Sequence, residues 1–283
     1  MPNFPIVDTH LHVWDPKNLS YPWLEDIPFL NKPYLLDGYH SARGLIDVEK
    51  MVFMQAECDP AQYREEADWV SSLAADDSSL AAIIPWAPLE DGDTARPALE
   101  ALAANKLVKG IRRIIQFEPD LAFCLKPNFV KGVQLLPEYN LHFEICIAHI
   151  HLENTIKLVD RCPEVRFILD HIGKPDIKNH IMEPWKSQIG QLAKRTNVCC
   201  KISGLVTEAD HDAWTRDDLK PYIDTVVESF GFDRIMFGGD WPVAFQATEY
   251  PRWVEVLEWA VGGCTEEELR KLFRENAVSF YSL

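Results

Sequence analysis

Short apolar runs recur along the chain at even intervals and alternate with segments of helical period. The runs are Pro5–Asp8, Met51–Ala56, Leu80–Ala87, Val108–Ile115, Leu141–Ile147, Val165–Leu169, Val198–Ile202 and Arg234–Phe237. Most are β-branched or almost continuously apolar, the pattern of strands buried on both faces of a parallel sheet. Tyr63–Ala75, Leu152–Cys162, Trp185–Arg195 and Leu219–Phe230 repeat their apolar residues at helical spacing. Strand and helix in this regular alternation predict an α/β chain folded as one (β/α)8 TIM barrel spanning residues 1–283. An open doubly wound sheet is the alternative. No glycine-rich dinucleotide fingerprint follows the first run, which counts against it.

Two stretches depart from the alternation. Trp14–Lys50 is rich in proline and aromatic residues (Tyr21, Pro22, Trp23, Pro28, Phe29, Pro33, Tyr34) and is too long for an ordinary connection. Its aromatic content predicts a cover over the barrel mouth, with a first helix around Ser41–Lys50. At the other end Thr265-Glu266-Glu267-Glu268 reads as a helix start, and the amphipathic run Leu269–Phe280 is expected to pack against the barrel exterior.

Composition narrows the function classes. With 283 residues, 47% hydrophobic and 25% charged, the chain can bury a large core. Its formal net charge of −16 argues against nucleic acid or an anionic membrane as partner. No apolar stretch approaches the roughly 20 residues needed to span a bilayer. The start, Met1-Pro2-Asn3-Phe4-Pro5, has no secretory pattern. Seven scattered cysteines without framework spacing read as reduced thiols, and a cytoplasmic location is expected.

In parallel barrels chemistry sits where strands end, and here polar residues gather where the apolar runs stop. The first run leads into Asp8-Thr9-His10-Leu11-His12, and side chains two apart on a strand share a face. The sixth ends in Asp170-His171 before Gly173-Lys174-Pro175, the eighth in Gly238-Gly239-Asp240. Imidazoles and a carboxylate at one rim can bind a metal or activate water. His10, His12, His171 and Asp240 are therefore the candidate catalytic residues, and the candidate ligands if a metal binds. Gln55, Arg112, Lys201 and Trp23 are candidate substrate contacts, with Arg113 competing with Arg112 for the inward position. Glu144 interrupts an apolar run, a costly placement for a carboxylate that is neither paired nor functional. It is a further substrate-contact candidate. His40, His142, His180 and His211 have no partner pattern and read as structural or surface; His149 and His151 read as loop or helix-capping residues.

The set Asp-x-His-x-His, His171 and Gly239-Asp240-Trp241-Pro242 resembles the amidohydrolase superfamily, in its amidohydrolase-related (amidohydrolase 2) branch, and the likeness runs from Asp8 to Tyr281. Leu272-Phe273-x-x-Asn276-Ala277-x-x-Phe280-Tyr281 is similar to that branch's closing helix. Leu169–Pro175, with Trp14-Asp15-Pro16 and Tyr21-Pro22-Trp23-Leu24, looks like its sugar lactonases, such as L-fuconolactonase and L-rhamnonolactonase. The resemblance implies hydrolysis of a small sugar-acid lactone, with Asp240 activating water and His10, His12 and His171 polarising the carbonyl directly or through a metal. It implies at most one divalent ion, zinc foremost, and no organic cofactor. Metal-dependent members carry a histidine or carboxylated lysine near strand four or five. This chain has Glu144, Cys146 and arginines there, so an ion is accommodated without being required, and Glu144 is a less secure ligand. A metal-dependent decarboxylase, a lactone isomerase and a catalytically silent binding barrel are the competing readings.

Overall fold

The computed structural model describes residues 2–283. Eight parallel strands form the ring: β1 Ile6–Leu11, β2 Val48–Met54, β3 Leu80–Ile84, β4 Gly110–Arg112, β5 His142–Ile145, β6 Phe167–Leu169, β7 Val198–Ile202 and β8 Ile235–Phe237. They pair in sequence order as β1-β2-β3 and β4-β5-β6-β7-β8. Single parallel bridges join the two runs, Ile83 to Val108 on one side and Leu11 to Trp241 on the other. The chain is thus an α/β TIM-barrel-like fold. A helix follows each strand: α1 Leu36–Ala42, α2 Tyr63–Asp76, α3 Arg96–Ala103, α4 Pro127–Leu135, α5 Leu152–Arg161, α6 Trp185–Leu192, α7 Arg216–Phe230 and α8 Tyr250–Ala260. The first helix ends before the stretch expected for it: Ser41–Lys50 holds its last residues, a turn and the start of β2.

Alternation along the strands sorts side chains into two layers. Val7, Val52, Met54, Ala82, Ile84, Ile168 and Met236 form an inner cluster, separate from the larger layer between strands and helices. The expected exterior packing of the C-terminal segment holds for its first half, where Leu272 and Phe273 join the outer layer, and is corrected for its last turns. Ala277 and Tyr281, on the C-terminal helix Asn276–Tyr281, join the inner cluster, so this helix stoppers the N-terminal end of the barrel. Tyr281 reaches far enough for its hydroxyl to donate to Glu144 Oε1 at 2.7 Å.

Strand β1 carries one irregularity that matters for the site. Val7 belongs to the inner cluster and Leu11 to the outer layer, as do residues an even number apart only if the pleat slips. The pairing register with β2 shifts between Asp8 and Leu11. An extra residue in a strand reverses which side chains face inward, and this one turns His10 and His12 into the barrel.

Candidate active site

His10 and His12 enter the barrel mouth from the slipped end of β1, His171 from the turn after β6, and Asp240 from the turn after β8. Asp8 ties these ends together. Its Oδ1 accepts from the amides of His10 (3.0 Å) and Gly239 (2.8 Å), and its Oδ2 from the hydroxyls of Tyr39 and Tyr250 (3.0 Å each). A buried carboxylate so fully hydrogen-bonded joins the first and last strands where the ring closes. His171 and Asp240 both adopt left-handed backbone (φ 50° and 53°), which non-glycine residues hold only under constraint from their surroundings.

Asp240 Oδ1 lies 3.7 Å from His10 Nε2 and 3.6 Å from His12 Nε2. The His10 and His171 rings are 4.3 Å apart. Burial drives all three imidazoles toward the neutral form, His171 down to about 4. Burial would raise the Asp240 carboxyl, but His171, His12 and His10 together hold it well below the usual carboxylate range. The second atom of each ring fixes its tautomer. His12 Nδ1 is 2.9 Å from the Met54 carbonyl, which can only accept, so the proton sits on Nδ1 and Nε2 presents a lone pair. His10 Nε2 receives Arg112 Nη1 at 3.1 Å while its Nδ1 faces Asp170 Oδ1 at 3.4 Å. His171 Nδ1 pairs with the Ser203 hydroxyl at 3.0 Å.

The donor set fits one divalent ion. His10, His12 and Asp240 offer ligand atoms within 4.8 Å of one another, two neutral nitrogens and one anionic oxygen. The same His10 lone pair serves either an ion or Arg112, since one pair of electrons cannot do both.

Above these groups lies a cavity of about 490 Å3. His12, His171, Asp240 and Arg112 line its floor, and Trp14, Trp23, Trp86 and Phe117 its walls. The long connection after β1 is the expected cover. Trp23 is pinned by its indole N–H to the Ala56 carbonyl (2.8 Å), and Trp14 by its indole N–H to the carbonyls of Leu30 and Lys32. Beneath the cover Glu66 is buried, with Oε1 accepting from the Ala56 amide at 3.1 Å and the Tyr21 side chain nearby. Burial pushes its carboxyl up to about 8, reinforced by Glu57 and opposed by Arg112. A carboxyl raised on folding stabilises fully below its unfolded value, and that contribution drains away as pH rises toward the folded one. Glu66→Gln is expected to abolish this dependence: between pH 5 and 8 the melting temperature of the parent should fall relative to that of the variant. Parallel melting curves across that range would contradict it.

The remaining sequence candidates divide. Arg112 faces the site, and Arg113 turns outward to Glu90 and Glu118. Gln55, Glu144 and Lys201 do not line the cavity, and their expected role as substrate contacts is corrected. Gln55 has the opposite strand parity to Met54 and Ala56, and its amide is used up by the Glu57 carboxylate and backbone. Glu144 and Lys201 face inward one layer too deep: Lys201 Nζ is 2.8 Å from Glu144 Oε2 and 3.3 Å from Asp170 Oδ1. Glu144 is accordingly no neighbour of the His12–Asp240 cluster. His142 also belongs to this layer, 2.8 Å from Glu144 Oε1. Trp86, Ile114 and Cys146 line the cavity without having been singled out as wall residues; each lies two positions beyond an inward residue of its strand, and continuing the alternation would have found them. Lys174, Glu208 and His211 line it from loops, where periodicity carries no signal.

Gly204 marks how tightly the floor is built. A Cβ there would sit 2.4 Å from His171 Nδ1 and 2.7 Å from Asp240 Oδ2, at a φ of +62°. Gly204→Ala should lower turnover by at least about 10²-fold through displacement of both groups, with the loss read in kcat on a folded protein. Undiminished kcat would show that the floor yields.

The amidohydrolase family model matches residues 7–283. The chain belongs to the amidohydrolase family. Among relatives, it is 29% identical to the L-fucono-1,5-lactonase of Burkholderia multivorans, over 98% of this chain and 96% of that one. It is 25% identical to the L-rhamnono-gamma-lactonase of Scheffersomyces stipitis, over the full length of both. A zinc-bound crystal structure of an amidohydrolase from Burkholderia multivorans superimposes with a TM-score of 0.88 at 28% identity, covering 99% of this chain and 100% of that one. The parallel α/β barrel is the fold that this chain shares with that amidohydrolase. Among the described residues no helix is long and apolar enough to cross a membrane, and all seven cysteines are free thiols.

Proposed function

We propose that this amidohydrolase hydrolyses a neutral sugar-acid lactone, of the L-fucono- or L-rhamnono-lactone kind, to the open aldonate. The observation that carries the reading is the charge pattern of the cavity. Its two cations are both already matched, Lys174 by Glu208 at 3.3 Å and Arg112 by Asp170 at 3.5 Å. A substrate carboxylate would find no unpaired cation and would meet Asp240 and Glu57. An uncharged polyol ring, whose faces suit tryptophan walls, meets no such penalty. The same pattern disfavours the decarboxylase reading. The related lactonases support the same choice.

In the mechanism this suggests, ionised Asp240 accepts a proton from water as the water oxygen attacks the lactone carbonyl. Covalent catalysis is disfavoured, because burial pushes the thiol of Cys146, which lines the cavity, up to about 12 and keeps it protonated. Negative charge grows on the carbonyl oxygen and needs donors. His12 presents a lone pair rather than an N–H, so direct stabilisation falls to Arg112 and to the far nitrogen of His171. An ion held by His10, His12 and Asp240 would supply Lewis acidity at that oxygen. Protonated Asp240 then returns its proton to the departing ring oxygen.

The test is proton release, followed with a pH indicator, across five- and six-membered sugar lactones. It is run on protein as purified, after chelation, and with zinc or manganese restored. Release on at least one lactone supports the reading. Silence on every lactone, with CO2 evolved from an aromatic or enolic carboxylate, would replace it with the decarboxylase. Conversion of a lactone without net proton release would make the enzyme an isomerase.

A further inference from the structure

Lys174 lies at the end of a run that sequence patterning had treated only as a strand stop. His171, Ile172, Gly173 and Lys174 are four consecutive left-handed residues, with φ of 50°, 50°, 75° and 47°. Glycine or asparagine would adopt that backbone at less cost than lysine. The turn is locked: the Lys174 amide donates to the His171 carbonyl at 2.9 Å, and the Lys174 carbonyl accepts from the His149 amide at 3.3 Å. It delivers the Lys174 side chain into the same cavity as His171.

Beside it, on the neighbouring strand end, Glu208 ends the short helical turn Leu205–Glu208 after β7. Its carbonyl accepts from the Lys178 amide at 2.9 Å, and its carboxylate lies 3.3 Å from the Thr207 hydroxyl. Lys174 and Glu208 side chains are 20% and 26% exposed, so both are reachable from the cavity yet largely withdrawn from bulk water. An ammonium carries three N–H donors, of which Glu208 engages one; a carboxylate has about four acceptor positions. A fixed donor beside a fixed acceptor is the complement of two adjacent hydroxyls, each of which gives one hydrogen bond and takes another. A ring lacking those hydroxyls would leave the pair no better satisfied than before binding.

We propose that Lys174 and Glu208 form a specificity pair that reads vicinal hydroxyls on the lactone ring. This rests on the lactonase reading above and adds to it which side chains select a polyol over a bare ring. The pair touches no reacting atom, so its effect falls on discrimination between substrates. Loss of a charged hydrogen-bonding partner to a substrate hydroxyl costs on the order of 10- to 100-fold in affinity.

The experiment compares kcat/KM for a sugar δ-lactone and for δ-valerolactone, which has the ring and no hydroxyls, in the parent, Lys174→Met, Glu208→Gln and Lys174→Arg. The expected result is a fall of about 10- to 100-fold on the sugar lactone, carried mainly by KM, in the Met and Gln variants. On δ-valerolactone the fall should be far smaller, so the ratio of the two collapses, and Lys174→Arg should recover part of it. Equal losses on both lactones would overturn the inference, because the pair would then act on chemistry or folding. Unchanged values on both would overturn it too. A parent that hydrolyses δ-valerolactone but no polyol lactone refutes the pair while sparing lactone hydrolysis; a parent inactive on every lactone refutes the underlying reading first.

Discussion

Replacing Asp240 by asparagine should lower kcat by about 10²- to 10⁴-fold, the range for loss of a general base. The change swaps one oxygen for an amide of nearly the same shape, so circular dichroism and thermal melting should move little. The size of the effect follows from the site's economy of acids and bases. Asp240 is its one ionised carboxylate at the cavity floor, 3.6 Å and 3.7 Å from His12 and His10. His10 cannot replace it, because its Nε2 is occupied by Arg112. Asparagine would also weaken an ion bound there, and zinc affinity measured on the variant separates the two contributions. A variant with kcat within a few-fold of the parent would remove Asp240 from the mechanism.

The second large effect is on stability. Lys201→Ala should destabilise the fold by about 3–5 kcal/mol in urea unfolding, the cost of breaking a buried pair from one side. Lys201 is wholly buried between Glu144 and Asp170, and Glu144 is in turn held by His142 and the Tyr281 hydroxyl. Truncation strands two carboxylates inside the barrel. Lys201→Met with Glu144→Gln should recover part of the loss, because Asp170 keeps Arg112 at 3.5 Å and no second carboxylate remains uncompensated. A single variant as stable as the parent would mean that water enters and solvates the layer. The pair thus belongs to the frame beneath the site, and through Asp170 it steadies the back of His10.

Strand alternation explains why much of the site was legible beforehand. His10 and His12 share a face because they are two apart, and Arg112, Glu144 and Lys201 were recognised as polar residues in or at the ends of inward-facing strands. Depth was not legible. Glu144 and Lys201 lie in a closed layer and Arg112 opens into the cavity, yet all three satisfy the same period. Gln55 failed for a different reason: the chain leaves β2 before it, and Glu57 in left-handed backbone (φ 54°) captures its amide. The C-terminal helix was expected outside because amphipathicity identifies an apolar face but not which surface covers it.

By itself the sequence determined an alternating α/β chain and singled out, as candidates at the strand ends, three imidazoles and a carboxylate beneath an aromatic-rich connection. These follow from short-range patterns, since periodicity and turn residues act over a few positions. Tertiary structure alone decided that β1 slips between Asp8 and Leu11, that Arg112 rather than Arg113 meets His10, that Lys201 and Glu144 pair below the floor, and that Lys174 and Glu208 meet side by side at the mouth. Each depends on where separate segments stop relative to one another around a closed ring, and that is set by packing between residues far apart in the chain.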